Sequence, residues 1–218
     1  MKKSSIILFT VISTLISLVF IILTYYGITR YIELNLNKPE KYIQNYSNLS
    51  GYKNKNIILT FTSNPKNFSK LKPMLNSILD QTVKVNQIYF VVPYKYQSEI
   101  PKYIKNIATI FPTVKEYGEC TSIIPILLCE KDSNTIILDL KPTYVYGKDF
   151  IEKMIETSDT NSKDVIYDKK QTTILFKPSH YNSDILNREQ KYFTKKWFIS
   201  KAKKTKLVNY NENYKILK

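Results

Sequence analysis

The sequence predicts an α/β domain, a mixed sheet flanked by helices, preceded by one N-terminal transmembrane helix. Three observations carry that prediction. An uncharged stretch, Ser4 to Thr29, lies between Lys3 and Arg30, and roughly twenty apolar residues suffice to cross a bilayer. Short β-branched, apolar runs at 56–62, 87–92 and 135–140 each give way to a polar or proline turn, the pattern of strands buried on both faces. Between the first two runs, Leu71, Met74, Leu75, Ile78 and Leu79 recur at helical spacing, so strand, helix and strand follow in the order of a parallel crossover.

Residues 1–4 form a short tail and 5–29 a signal anchor. The apolar run is longer than the h-region of a cleavable signal, and no small-x-small cleavage pattern follows it. The flanking charges barely choose an orientation: Lys2, Lys3 and the terminal amine face Arg30, Lys38 and Lys41, which Glu33 and Glu40 partly offset. Sequons at Asn45, Asn48 and Asn67 suit a single-pass, type II membrane protein with its domain lumenal or extracellular. In so Asn-rich a chain, chance explains the triplets equally well. Residues 30–54 have little apolar periodicity and read as a stem, leaving 55–218 as one domain with one core.

Within the domain, the first strand ends at Ser63-Asn64-Pro65, and the helix after it runs to about Gln81 with Pro73 in its opening turn. The second strand ends at Pro93. A short helical piece near Glu99 to Ile104 and a strand at Ile110 to Val114 come next, then a helix at Thr121 to Cys129 with Pro125 in its early turns. Thr135 to Leu140 is the most buried-looking strand, and Lys148 to Glu156 reads as an amphipathic helix. Asp164 to Tyr167 and Thr172 to Phe176 suggest a hairpin, followed by a lysine-rich helix near 192–204 and a strand at Leu207 to Tyr210. Strands this dense at the end make the sheet mixed.

Composition narrows the chemistry. Cys120 and Cys129 are the only cysteines, and on one helix they would point to opposite sides, as buried thiols rather than a disulfide. The lone His180 has no companion at zinc-ligand spacing. Four glycines in 218 residues leave little from which to build a phosphate-cradling loop, which disfavours nucleotide kinases and dinucleotide enzymes. The net charge is +15, and the segment 191–218 holds nine lysines against Glu212 alone, interleaved with Tyr192, Phe193, Trp197 and Tyr210. Such a segment suits a glycan, an anionic lipid or a protein partner, and suits nucleic acid least for a domain beyond a membrane. A solvated face in a Lys-rich chain explains it too.

Several motifs, taken together, resemble small family-2-like glycosyltransferases of the GT-A (Rossmann-like) fold, over roughly Lys55 to Tyr214. Thr62 and Pro65 match the segment closing the family's first strand, with Asn67 where the family has arginine. Ser77-Ile78-Leu79-Asp80-Gln81-Thr82 is similar to its Ser-Ile-Leu-x-Gln-Thr helix end. Tyr117, Gly118 and Thr121 match its Asp-Tyr-Gly-Pro-Ala-Thr-Lys segment, whose lysine is Ser122 here. The resemblance implies that Thr62, Pro65, Tyr117, Gly118 and Thr121 belong to the donor-binding region.

Where the family carries acids, this chain carries cations. The family's three-aspartate run falls on Lys141-Pro142-Thr143 when Tyr146 is aligned, and a two-residue slip recovers only Asp139. The family's later acidic segment, which supplies the catalytic base, falls on Lys195-Lys196. A departing nucleoside diphosphate is normally neutralised by a divalent metal held by oxygen ligands, and a lysine, with a reference pKa of about 10.4, is a poor base at neutral pH. Asp139, Lys141, Lys195 and Lys196 are therefore degenerate catalytic positions. The expectation is a membrane-anchored, catalytically silent glycosyltransferase-like module, with no cofactor and no divalent metal. The alternative is metal-independent transfer from a nucleotide-sugar donor of UDP type, in which Lys141 meets the diphosphate and Asp139, Asp164, Asp168 or Asp184 is the base. Without that chemistry, Asp139 reads as a strand-end carboxylate bonded to the next loop, and the three lysines as solvent-exposed.

Overall fold

A computed structural model describes residues 3–25, 27–169, 172–182, 185, 193–208 and 214–215. Helix α1 (Lys3–Tyr25) carries an apolar span, Ser5–Tyr25, that the rest of the described chain leaves unburied. By length and composition it is able to cross a membrane, with a mean hydropathy of 3.0 over its apolar span. Gly27, at φ 70°, ends it in a left-handed turn that glycine adopts without penalty.

The segment read as a stem is folded. It forms α2 (Ile28–Leu36) and α3 (Pro39–Ser47), separated where Pro39 begins a new helix. Both lie on α4 (Lys72–Leu79). Leu34, Tyr42 and Tyr46 are buried there. The Asn76 side chain donates to the carbonyls of Leu34 at 2.7 Å and Asn37 at 3.2 Å, and the Tyr46 hydroxyl accepts from the Val85 amide at 2.9 Å. Arg30 donates to the Tyr146 carbonyl at 2.5 Å and to Asp80 at 2.9 Å. The sequence hides this packing because one leucine and two tyrosines supply it, too few for an apolar stripe.

The sheet is mixed and flanked by helices, as the sequence predicts. Its strands are β1 (Ile57–Phe61), β2 (Gln87–Pro93), β3 (Thr109–Thr113), β4 (Ile136–Asp139), β6 (Val165–Asp168), β7 (Ile174–Phe176) and β8 (Thr205–Val208). The spatial order is β3-β2-β1-β4-β7-β6-β8. Only β7 opposes its neighbours; the other six strands point one way. Register places Leu59 beside Ile88 and Leu138. A separate two-stranded ribbon joins β5 (Val145–Tyr146) to β9 (Tyr214–Lys215), a pairing that periodicity does not reveal.

Side chains alternate between two cores, as strand geometry requires. Ile57, Leu59 and Phe61 face the layer containing α4, the short α5 (Lys102–Lys105) and α7 (Phe150–Thr160). Ile58, Val91 and Ile137 face the layer of α6 (Ile124–Cys129) and α8 (Lys195–Ser200). Both latter helices are shorter than predicted, and Cys120 precedes α6 in a 3-10 turn. Cys120 is buried but Cys129 is exposed, and both thiols are free.

Because the chain leaves β1 toward β2 and β3 and returns to its other side at β4, the strand order reverses there. A crevice opens outside the carboxyl ends of neighbouring strands at such a point, the usual place for ligands in open α/β sheets.

Candidate functional site

A cleft of about 610 Å³ occupies that point, lined by Thr62 after β1, Leu140, Lys141 and Pro142 after β4, Glu119 and Ser122 before α6, Thr172 before β7, and Thr194, Lys195 and Lys196 at the start of α8. Asp139, the last residue of β4, lies beneath it with no exposed surface. The Ser122 hydroxyl donates to its Oδ1 at 2.5 Å, and Lys195 Nζ stands 2.5 Å from its Oδ2. Lys195, whose side chain is only 14% exposed, also donates through Nζ to the Thr172 carbonyl at 2.8 Å. Thr194 caps α8 by accepting from the Trp197 amide, which fixes where Lys195 begins.

Asp139 and Lys195 thus form a buried ion pair: Lys195 is not solvent-exposed, and the partners of Asp139 come from the turn before α6 and from α8 rather than from the loop after β4. Burial pushes the Asp139 carboxyl above its ordinary range, while the Lys195 ammonium and the Ser122 hydroxyl pull against it. Cys120 shares this dry region, and burial pushes its thiol up to about 12, with the Asp139 charge adding to the effect. Ser122 and Lys195 meet the two oxygens of the same carboxylate from opposite sides.

The remaining predicted residues divide into those lining the cleft and those supporting it. Thr62, Lys141 and Lys196 line it. Lys141 Nζ lies 4.9 Å from the centroid of the Tyr144 ring, and its backbone exchanges two hydrogen bonds with the Tyr146 hydroxyl, at 2.8 and 3.0 Å. Tyr117, Gly118 and Thr121 build a turn. The Thr121 hydroxyl accepts from the Tyr117 amide and donates to the Gly118 carbonyl. Gly118 has φ +57°, and a Cβ there would stand 3.0 Å from the Phe193 carbonyl oxygen. That close approach lets the Glu119 amide donate to Phe193 and Glu119 Oε2 accept from the Lys195 amide at 3.0 Å. Pro65 opens a 3-10 turn after β1 and is outside the lining.

Of the candidate bases, Asp168 accepts from the Thr172 amide and hydroxyl and the Thr173 amide, which closes the turn between β6 and β7. Asp164 precedes β6 and therefore sits at the opposite end of the sheet. Asp184 lies outside the described residues. Glu119 and Ser122 are cleft residues that sequence reasoning did not assign; the signal for Ser122 was its place at the family's lysine position.

The set does not fit a divalent metal. Asp139 offers its oxygens to a hydroxyl and an ammonium, and among the described residues no three His, Cys, Asp or Glu side chains converge. Lys141 and Lys196 bring two side-chain cations to the cleft wall.

A second cleft, of about 660 Å³, lies on the other side of Lys141 and Pro142, which line both.

No family model matches the sequence, and no curated protein matches it. Among solved structures, the chain is similar to S. aureus TarS 1-349 at 10% identity and a TM-score of 0.46, covering 73% of this chain and 59% of that one. It is similar to a longer S. aureus TarS structure at 11% identity and a TM-score of 0.49, covering 73% and 36%. The third is 4-diphosphocytidyl-2C-methyl-D-erythritol synthase from Anaerococcus prevotii, at 14% identity and a TM-score of 0.49, covering 71% and 87%. The chain thus spans little more than half of the first of these. The likenesses are in backbone layout, and what the cleft can do follows from its own residues.

Proposed function

We propose that the chain is a membrane-anchored module of GT-A type that has exchanged its catalytic acids for a buried ion pair and serves in binding or scaffolding. The observation that carries this is the Asp139–Lys195 contact of 2.5 Å beneath the cleft. A carboxylate held this way is withdrawn from metal ligation and from general-base work, since either would leave a buried ammonium uncompensated. The resemblance of the sequence motifs to family-2-like glycosyltransferases supports the ancestry, and α1 supports the anchor. The test is release of UDP from UDP-sugars by the full chain in detergent, with Mn²⁺ or with chelator. The expected result is background release in both. Turnover that disappears in Lys141→Ala overturns the reading.

The exposed Glu119, held beside Lys141 and Lys196 in one cleft, favours a second reading: metal-independent transfer with the lysines facing a diphosphate and Glu119 taking the acceptor proton. It requires UDP binding, read by calorimetry, that is indifferent to chelator, and turnover lost in Glu119→Gln. Absence of UDP binding ends it.

A further inference from the structure

We propose that the second cleft holds the chain of a membrane lipid that carries a phosphate headgroup. The cleft lies between the membrane-proximal α2 and the loop before β5, and Tyr31, Met74, Tyr144 and Val145 give it a chiefly apolar wall. Among the described residues its charged lining is Lys70 and Lys141, with no carboxylate. An apolar trough with two cations and no acid matches an acyl or isoprenoid chain joined to a phosphate.

The source of such a ligand is set by position. α1 ends at Tyr25 and α2 begins at Ile28, so Tyr31 lies only about 5 Å along α2 at 1.5 Å rise per residue. On the same helix Ile32 and Leu36, one turn apart, are 46% and 73% exposed. Exposed apolar side chains on a helix that follows a membrane-crossing helix across one turn belong at the lipid interface, which brings the cleft within reach of a bilayer lipid. Lys141 then stands between the lipid cleft and the cleft above Asp139.

This inference rests on the anchored orientation of the proposed function but not on loss of turnover. The test places the full chain in phosphatidylcholine nanodiscs doped with a phosphatidate bearing a photoreactive acyl chain. Cross-links are expected on α2 and on residues 141–145. Asn35→Trp, an exposed change at the cleft, is expected to reduce that cross-linking about tenfold while cross-links to α1 persist, equivalent to about 1.4 kcal/mol. Lys70→Ala with Lys141→Ala is expected to abolish the preference for phosphatidate over a phosphatidylcholine probe with the same chain, and Ser69→Trp repeats the blocking test should Asn35→Trp fail to fold. Cross-links confined to α1, indifference to both tryptophans, or full competition by inorganic phosphate would each overturn the proposal. Failure of the chain to enter the nanodisc would instead refute the anchor.

Discussion

At Asp139 a single carboxylate is held by two groups of different strength, a neutral hydroxyl and a cation. Removing one partner of a buried pair leaves a stranded charge, whereas removing both leaves a neutral site. Lys195→Met is therefore expected to destabilise the chain by about 3–5 kcal/mol, and Lys195→Met with Asp139→Asn by much less. Urea midpoints of the two variants in detergent, set against the wild type, check the difference. Equal losses would mean that the pair is not a coupled unit. His180 offers a second test at this scale. It is buried, its Nδ1 accepts from the Lys177 amide at 3.3 Å, and its Nε2 faces the Ser162 carbonyl at 3.0 Å. One nitrogen accepting and the other donating requires the neutral ring, and burial lowers its pKa accordingly. The unfolded chain takes up the proton first, so this contribution is full above about pH 6.5 and is lost as the pH falls toward the folded-state value. The urea midpoint should drop between about pH 7.5 and about pH 5.5 more steeply in wild type than in His180→Gln, which keeps a donor toward Ser162.

Among the elements, α2 and α3 carry more of the fold than their composition suggests. Leu34→Ala should cost about 2–5 kcal/mol, the range for a buried leucine, and Asn76→Ala about 1–3 kcal/mol for leaving the Leu34 and Asn37 carbonyls unpaired. A slack stem would tolerate Leu34→Ala within about 0.5 kcal/mol, so a denaturation curve on the full chain separates the two. The strands β1, β2 and β4 were legible in the sequence because both their faces are buried, which writes a continuous apolar run. α4 was legible because its aliphatic residues recur at helical spacing, although nearly the whole helix is buried. The ribbon of β5 and β9 was not, since two-residue strands carry no period. The cleft was half legible: Asp139, Lys141, Lys195 and Lys196 could be singled out as positions, but the contact between the first and third depends on α8 folding back across the carboxyl end of β4, which no local pattern encodes.

For the whole molecule, the proposed anchor allows two orientations, with the domain on either side of the membrane. The cysteines distinguish them, because Cys129 is exposed and Cys120 is not. With the domain on the extracellular side, a membrane-impermeant maleimide applied to intact cells should modify the protein once, at Cys129, and Cys129→Ser should abolish the modification. Labelling only after permeabilisation would place the domain inside. The +15 charge then bears on partners, since a positively charged domain fixed near a surface concentrates whatever anions that surface holds, with a strength that falls as salt is added.

Arg30 ties α2 to two places at once, the Tyr146 carbonyl and the Asp80 carboxylate, and Tyr146 in turn grips the backbone of Lys141. Three residues beyond Gly27, the tether becomes a strut. With α1 seated in a bilayer as proposed, a tilt of the anchor would reach the wall between the two clefts through these hydrogen bonds.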